Sequence, residues 1–238
     1  MSVAPSPDDS PPWHCHAAPI GGSMLVACWS SKGGSGTTVV AASLALLLAR
    51  RSPTGAVLVD LAGDAPAALG LAEPSGPGLA GWFAAGPEAP VDSLARLEEQ
   101  VAPGLSLLAR GHGELRADRA DVLTALLAGD VRPTIVDCGA DPTGAALCVA
   151  AGATRSILVT RACFLSLRRA LTAPLHPSEV VLLSEPGRSL TRADVEACLG
   201  APVVAEVAVD PVVARAVDAG LLASRLPRGL ARELGRAA

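Results

Sequence analysis

The chain has 238 residues, of which 50% are hydrophobic and 18% are charged, so it is too apolar for a disordered protein and long enough for one large α/β core. Its formal net charge of −4 argues against a strongly basic nucleic-acid-binding surface. No apolar run approaches the length that spans a bilayer, and no basic segment followed by an apolar one predicts a secretory signal.

The first 23 residues are rich in Pro, Ser, Asp and Gly and are predicted to be a disordered tail, with one domain over 24–238. His14, Cys15 and His16 lie in this tail without further ligands that would complete a metal site, so no metal site is predicted there. None of the six cysteines forms a Cys-x-x-Cys pair, and most lie in apolar segments. This usage favours a reducing, cytoplasmic compartment.

One glycine-rich stretch stands out near the start of the predicted domain. An apolar run at 24–29 predicts a buried strand, and an Ala- and Leu-rich pattern predicts a helix over 38–51. Between them lies Ser30-Ser31-Lys32-Gly33-Gly34-Ser35-Gly36-Thr37-Thr38. Strand, glycine turn and helix start form a phosphate cradle, because glycines let successive N–H groups converge and a helix start is partly positive. Lys32 is the only lysine beside eighteen arginines, which points to a specific role for it.

Strands and helices alternate along the rest of the chain. Strands are predicted at 56–61, 105–109, 133–139, 156–160, 180–184 and 203–209, and helices at 79–85, 91–100, 118–128, 143–151, 165–173, 189–199 and 211–219, with a last helix from about 227. Asp118 or its neighbour is predicted to cap the helix at 118–128, and Thr191 to cap the helix at 189–199. The alternation predicts an α/β fold with a mostly parallel, doubly wound sheet flanked by helices, a three-layer sandwich. Because ligands bind at the carboxyl ends of parallel strands, the loop, Asp60 and Asp137 are predicted to meet at one edge.

The glycine stretch fits one phosphate-binding pattern better than the others. It fails the Gly-x-Gly-x-x-Gly dinucleotide pattern at Val39, and it fails the ordinary Walker A pattern at Ser31 and Thr37. It fits the deviant form Lys-Gly-Gly-x-Gly-Lys-Ser/Thr everywhere except Thr37. On these residues the sequence resembles the ParA/MinD family of P-loop ATPases, over roughly residues 24–220. The resemblance implies a P-loop NTPase-like fold, ATP and Mg²⁺ as ligands, and a homodimer.

The resemblance also implies a role for individual residues. Lys32 corresponds to a signature lysine that reaches the partner subunit's phosphates, and the phosphates are held by Lys32, Gly33, Gly34, Ser35, Gly36, Thr37 and Thr38. Thr38 would ligate Mg²⁺, Asp137 would support the metal through water, and Asp60 would orient the attacking water. The segment 209–220 resembles the late family segment that lines the base, with Asp210 and Pro211 in its loop.

Two departures from the family pattern change the expected chemistry. Thr37 replaces the lysine that grips the β and γ phosphates within the same subunit. A neutral hydrogen bond contributes about 1 kcal/mol against about 1.5–3 for a charge-assisted one, so hydrolysis is predicted to be slow or absent. Backbone N–H groups and a Thr38-bound Mg²⁺ would still allow nucleotide binding. The chain has no Asn, so Ser184 or Glu185 would replace the family's adenine-reading Asn and alter base specificity.

These departures leave several functions open. The first hypothesis is an ATP-dependent dimer switch that positions a partner in pilus or cell-division machinery, as in the TadZ/CpaE and actinobacterial septum-site subgroup, which often lacks the second lysine. One alternative is a pseudo-ATPase scaffold without a nucleotide cycle. Another is a chromosome or plasmid partition ATPase, against which the acidic balance argues. A nitrogenase-type iron protein is disfavoured because no suitable cysteine pair is present.

Leucines and arginines recur at helical spacing near the C-terminus, giving an apolar stripe beside a basic one. They are Leu222, Leu226, Leu230 and Leu234, and Arg225, Arg228, Arg232 and Arg236. One interpretation is a reversible contact with the inner face of the membrane. The other, which is favoured because Pro227 and Gly229 shorten the helix, is a terminal helix packed on the core.

Overall fold

A computed structural model describes residues 24–86 and 90–238. Within them, eight strands form one sheet: β1 (Leu25–Ser30), β2 (Ala56–Asp60), β3 (Glu99–Ala102), β4 (Leu105–Leu108), β5 (Thr134–Ala140), β6 (Arg155–Arg161), β7 (Glu179–Ser184) and β8 (Val203–Ala208). Their order is β3-β4-β2-β5-β1-β6-β7-β8. Every neighbouring pair is parallel except β3 and β4. The predicted tail, with His14, Cys15 and His16, lies outside the described residues, so the division at residue 23 stays a prediction.

Helices cover both faces of the sheet. They are α1 (Thr37–Arg51), α2 (Ala65–Leu69), α3 (Gly78–Ala84), α4 (Ala120–Ala128), α5 (Gly144–Gly152), α6 (Phe164–Leu171), α7 (Arg192–Leu199), α8 (Pro211–Asp218) and α9 (Arg228–Leu234). One face packs α1, α2, α8 and α9 against the inward side chains of alternate strand residues, and the other packs α3 to α7. The predicted three-layer α/β fold is therefore confirmed.

The sheet lies between two layers of helices because its middle strands carry apolar side chains on both faces. All six residues of β1 are buried, and its side chains alternate between the two cores, with Val26 on one side and Ala27 on the other. A strand buried on both faces has no polar alternation, as the run at 24–29 predicted. This burial fixes β1 in the middle of the sheet, and the loop that follows β1 starts at the carboxyl edge.

The prediction of a helix over residues 91–100 is wrong. Two 3₁₀ turns occupy Val91–Ser93 and Ala95–Leu97, and the chain then enters β3, which pairs antiparallel with β4. Pro103 and Gly104 make the connection, with Gly104 at φ 72. A two-residue turn joins two antiparallel strands, so residues 99–102 before the turn form a strand and not the end of a helix.

The two predicted helix caps have different outcomes. Thr191 caps α7 in a capping box with Asp194, as predicted. Asp118 does not cap α4, because it pairs with Arg116 while a 3₁₀ turn precedes the helix.

The C-terminal leucine stripe is buried. Leu222, Leu226, Leu230 and Leu234 are all at most 7% exposed and belong to the same core cluster as α1. The interpretation that this segment packs on the core is therefore confirmed, although only Leu230 and Leu234 lie in α9, and Leu222 and Leu226 precede that helix. Among the described residues, no helix is long and apolar enough to cross a membrane.

Candidate nucleotide-binding site

The glycine-rich loop joins the central strand β1 to the N-terminus of α1 at the carboxyl edge of the sheet. Gly34 and Gly36 have φ of 74 and 72, in the left-handed region that glycine adopts without strain. Gly36 is the residue before α1, and no side chain caps this helix start. The α1 N-terminus therefore presents its first N–H groups and its positive dipole end to the space in front of the loop.

The backbone N–H groups of this loop lack acceptors. Within the described residues, no N–H from Gly33 to Thr38 donates a hydrogen bond of normal geometry. Gly33 and Gly34 are exposed, so water can pair their N–H groups, whereas the residues from Ser35 to Thr38 are buried or half-buried. Buried N–H groups are almost always paired in proteins, so unpaired ones at a helix start are typical of an anion site. We interpret this run as the part of the site that receives phosphate.

Serine side chains, in contrast, hold the loop in place. The Lys32 carbonyl accepts hydrogen bonds from Ser30 Oγ and Ser35 Oγ, both at 3.0 Å. Ser31 Oγ donates to the Ser166 carbonyl at 2.9 Å, which ties the loop to α6. The loop is thus fixed from outside while its N–H groups stay free, which is the preorganisation that anion binding needs.

A cavity of about 1110 Å³ opens in front of the loop. Its walls come from the loop and the start of α1, from the segments after β2, β4 and β5, and from α8 through Val217 and Asp218. The volume suits a nucleotide-sized ligand. Of the residues predicted to hold phosphates, Gly33, Gly34, Ser35, Gly36, Thr37 and Thr38 line this cavity and Lys32 does not. Their contact with phosphate stays a prediction.

Asp137 lies on β5 beside this cavity and is set up for a cation. Its Oδ1 accepts the Gly139 N–H at 3.0 Å, whereas its Oδ2 is buried with no hydrogen-bond partner among the described residues. Burial raises the pKa of Asp137 to about 6, and the negative charges of Asp60 and Asp64 act in the same direction. The Gly139 N–H and the Thr38 hydroxyl act in the opposite direction, although the hydroxyl makes no hydrogen bond of normal geometry with the carboxylate. A cation next to the unpaired Oδ2 would stabilise the ionised carboxylate, which burial and the neighbouring negative charges disfavour.

Asp60 is paired with Asp137 in the register of β2 and β5 but is held differently. Its Oδ1 accepts the N–H groups of Ala62 and Gly63, at 3.0 and 2.6 Å, and its Oδ2 accepts the Ala65 N–H at 3.2 Å. Burial raises the pKa of Asp60, and these three N–H donors oppose the shift. Asp60 therefore organises the turn into α2, and its predicted role in orienting water stays a prediction.

The residues present fit a magnesium ion that a phosphate helps to hold. The Thr38 hydroxyl and the free Oδ2 of Asp137 are hard oxygen donors, which Mg²⁺ prefers. No group of three or more His, Cys, Asp or Glu side chains able to hold a metal occurs in the described part of the chain. Mg²⁺ commonly takes few protein ligands and completes its shell with water and phosphate oxygens.

The two carboxylates should respond oppositely to amide substitution. Asp137→Asn is expected to stabilise the metal-free protein at pH 8 by up to about 3 kcal/mol, because a raised folded-state pKa means that ionisation destabilises the fold. The gain should shrink as pH falls from 6 towards 4, where the carboxyl group is protonated. Asp60→Asn also removes a buried charge, but it should lose about 1–3 kcal/mol overall, because the amide nitrogen cannot accept the N–H donors that the carboxylate accepts. Thermal unfolding in EDTA at several pH values measures both, and equal destabilisation would contradict this account.

Lys32 and Thr37 lie on different sides of the loop. Thr37 is buried and lines the cavity, where it contributes a hydroxyl and no charge. The half-buried Lys32 is not a cavity residue, and its ammonium has no hydrogen bond or ion pair among the described residues. Burial raises the pKa of Cys163, but hydrogen bonds with Ser166 lower it overall, and the pKa of Glu185 is lowered mainly by its hydrogen bond with Arg188. The charge of Lys32 adds to both downward shifts to a smaller extent, so Lys32 lies within electrostatic reach of these two residues.

The sequence did not identify Arg110, the one basic residue among those lining the cavity. It follows β4, and its Nη1 donates to the Leu61 carbonyl at 2.6 Å. One sequence feature could have indicated Arg110 as a site residue. It directly follows a strand of the parallel sheet and precedes the glycine-containing turn at 111–113, and ligands bind at the carboxyl ends of such strands.

The predicted base-contact residues lie away from this cavity. Asp210 accepts the Val212 N–H at 2.8 Å as the N-cap of α8, and it lines a second cavity of about 830 Å³. Pro211 opens the same helix. Glu185 follows β7 and is ion-paired with Arg161 and Arg188. The roles given to Asp210, Pro211 and Glu185 stay predictions.

Comparison with solved structures identifies the fold. A ParA family ATPase from Chlorobium tepidum TLS superposes with a TM-score of 0.73 at 20% identity, over 89% of this chain and 96% of that one. The septum site-determining protein MinD from Pyrococcus horikoshii OT3, complexed with Mg-ADP, gives 0.73 at 18% identity, over 89% and 92%. This is the ParA/MinD fold.

A solved structure with bound nucleotide also has a fold similar to that of this chain. A single-substitution variant of McdA from Cyanothece, in complex with ATP, matches with a TM-score of 0.63 at 19% identity, over 90% of this chain and 96% of that one. No protein-family model matches the sequence, and no curated protein matches it. At these identities the likeness establishes the ParA/MinD fold, and the function has to be argued from the site.

Proposed function

We propose that this chain is a nucleotide-binding spatial regulator of the ParA/MinD family, a dimer switch that ATP and Mg²⁺ control. One observation carries the proposal. The run of unpaired N–H groups from Gly33 to Thr38 lines a nucleotide-sized cavity beside the unpartnered Oδ2 of Asp137. Donors for phosphate and an acceptor for a cation thus occur together, which is what a magnesium–nucleotide complex requires.

Each residue of the site has a role in this proposal. The loop N–H groups hold the phosphates, Thr38 ligates Mg²⁺ and Asp137 supports the metal through water. When bound, the metal would neutralise phosphate charge and bridge the phosphate oxygens. Asp60 orients water if hydrolysis occurs. Within the segment 209–220 that was predicted to line the base, Val217 and Asp218 line this cavity and would lie beside the base, whereas Asp210 and Pro211 do not line it.

Hydrolysis should be weak or lost in this switch. Charge grows on the phosphate oxygens in the transition state, and Thr37 puts a neutral hydroxyl where a lysine would oppose it. Ground-state binding suffers less, because it depends on the N–H groups that Thr37 does not replace. We therefore propose a regulator that binds ATP for long periods, comparable to the TadZ/CpaE and septum-site subgroup.

Lys32 should control dimerisation more than binding. Because its ammonium is unpaired within the described residues, it is free to reach the phosphates of a second subunit. Lys32→Ala is expected to keep ATP-Mg²⁺ affinity in the monomer within about threefold while weakening ATP-dependent dimerisation by about tenfold or more, the loss expected for a charge-assisted contact. Sedimentation velocity with and without ATP-Mg²⁺ measures this, with Lys32→Arg as the charge-retaining control. Unchanged dimerisation of Lys32→Ala would contradict the assignment.

A protein partner is also part of the proposal. Phe164 and Leu165 open α6 with 75% and 52% of their surface exposed, close to where α6 contacts the loop through Ser166. Exposed apolar side chains beside a ligand-controlled loop suit a surface that a partner recognises in one nucleotide state. A pilus or cell-division protein in the cytoplasm is the partner that we propose.

A pseudo-ATPase scaffold is the second candidate function. Thr37 and the absence of Asn favour it, because both remove groups that the family uses on its nucleotide. A partition ATPase is the third, and the arginines of the second cavity, Arg215, Arg225 and Arg228, favour it. If ATP-Mg²⁺ at millimolar concentration changes neither sedimentation nor melting temperature, the switch is wrong and the scaffold is favoured. Salt-sensitive DNA binding would support the partition role.

A further inference from the structure

An arginine at the end of β6 contacts the phosphate-binding loop from outside the cavity. Arg161 Nη2 donates to the Gly34 carbonyl at 3.0 Å, and its Nη1 is ion-paired with Glu185. Arg188 holds the other oxygen of Glu185, with Nε at 2.8 Å from Oε2. Three charged side chains thus connect the end of β7 to the middle of the loop.

The contact with the Gly34 carbonyl determines the direction of one loop N–H. Gly34 has a φ of 74, and its C=O belongs to the same peptide unit as the Ser35 N–H. A trans peptide points these two groups in opposite directions. By fixing the carbonyl, Arg161 therefore fixes the N–H of Ser35, a residue that lines the cavity.

Arg161 occupies this position at an energetic cost. Its side chain is 27% exposed, and its Nε–H is buried without a partner among the described residues. A single buried N–H without an acceptor is unfavourable compared with an apolar group at the same place. Packing of the sheet edge alone does not explain an arginine here, whereas its bond to the loop does.

We propose that Arg161 is a positioning residue that braces the phosphate-binding loop. It holds the Gly34 peptide in the geometry that receives a polyphosphate, without touching the ligand itself. This brace matters more in a loop that has Thr37 instead of a lysine, because binding then depends on the alignment of N–H groups. The nature of the ligand rests on the proposed function, whereas the effect on the loop does not.

The other end of β6 offers a matched control. Arg155 pairs with Glu179 across the same two strands, with Nη2 and Oε2 2.6 Å apart. The two pairs are similarly exposed, at 24% and 21% for Arg155 and Glu179 against 27% and 20% for Arg161 and Glu185. Only the Arg161 pair contacts the loop within the described residues. A comparison of Arg161→Gln with Arg155→Gln therefore isolates the loop contact from the loss of an ion pair.

The single lysine of the chain supplies a direct readout of the loop. Endoproteinase Lys-C cleaves after lysine, so in this chain it cuts only at Lys32, inside the loop. Without nucleotide, Arg161→Gln is expected to be cut about tenfold faster than wild type, because losing a charge-assisted hydrogen bond allows more frequent local opening. Arg155→Gln should stay within about twofold of wild type at the same interval below its own melting temperature. Calorimetric titration should show ATP-Mg²⁺ affinity about tenfold weaker for Arg161→Gln alone.

The two readouts separate failure of the brace from failure of the proposed function. Equal cleavage of the two variants would overturn the brace, and so would equal ATP affinity in a protein that binds ATP. Faster cleavage of Arg161→Gln in a protein that binds no ATP would support the brace and overturn the nucleotide function. If Arg161→Gln does not fold, Arg161→Met against Arg155→Met replaces it, since methionine keeps a flexible apolar stem without hydrogen-bond donors and adds no Lys-C site.

Discussion

Thr37→Lys is expected to raise single-turnover ATP hydrolysis by about 100-fold or more, which is the size of effect seen when one transition-state donor is removed from an enzyme. The substitution completes the Lys-Gly-Gly-x-Gly-Lys-Thr pattern. Thr37 lines the large cavity, so a longer side chain has room to reach the phosphates. A compact ammonium there would oppose the charge that grows on the phosphate oxygens, and this interaction strengthens as the reaction proceeds.

Thr37→Met is the matched control for this gain. Methionine has a flexible stem of similar length but no charge, so it tests whether filling the cavity changes hydrolysis. We expect Thr37→Met to stay at the wild-type rate and Thr37→Lys to bind ATP more tightly as well. A Thr37→Lys rate equal to that of Thr37→Met would contradict the view that a missing charge limits hydrolysis.

Gly36→Val is expected to weaken ATP-Mg²⁺ binding by about 100-fold or more, because it misaligns more than one N–H donor to a charged ligand. Gly36 has a φ of 72, and a Cβ there would lie 3.2 Å from Cδ1 of Leu183. A β-branched residue in this conformation carries strain of about 1–3 kcal/mol. The start of α1 would shift to relieve it, and with it the N–H groups of Thr37 and Thr38. Calorimetric titration measures the affinity.

Gly200→Ala controls for backbone strain alone. Gly200 ends α7 with a φ of 65, and an added Cβ would meet nothing within 4 Å. This variant should lose stability of the order of 1 kcal/mol and keep ATP affinity. Comparable loss of affinity in both variants would show that binding follows global stability and not the shape of the loop.

The sequence predicted the loop and the sheet because both depend on local patterns. The apolar run of β1, the glycines and the start of α1 are contiguous, so their geometry follows from residue type and order. Alternating strands and helices then place the ends of β2 and β5 at the same edge, which brought Asp60 and Asp137 to the site. These parts needed no knowledge of distant contacts.

The parts that sequence reasoning missed depend on contacts between distant residues. Arg161 contacts Gly34, 127 positions away, and Arg110 contacts the Leu61 carbonyl, 49 positions away. Arg161 has no local signal in the sequence, and Arg110 has only its place after a strand, since eighteen arginines supply general positive charge. β3 was missed for another reason, because its exposed Glu99 and Gln100 lack the apolar alternation of a strand.

The C-terminal stripe shows a limit of periodicity. Leucines at helical spacing predict an apolar face whether that face meets a membrane or the core. The burial of Leu222 and Leu234 against the α1 core distinguishes the two, and it depends on the tertiary fold.

The central claim is that the N–H groups of the glycine-rich loop, with Thr38 and Asp137, bind a magnesium–nucleotide complex. The most direct test is calorimetric titration of ATP into the full chain, with Mg²⁺ and then with EDTA. The account predicts one site per chain with micromolar affinity, weakened about tenfold or more when Mg²⁺ is removed. Absence of binding at millimolar ATP, or binding that Mg²⁺ does not affect, would contradict it.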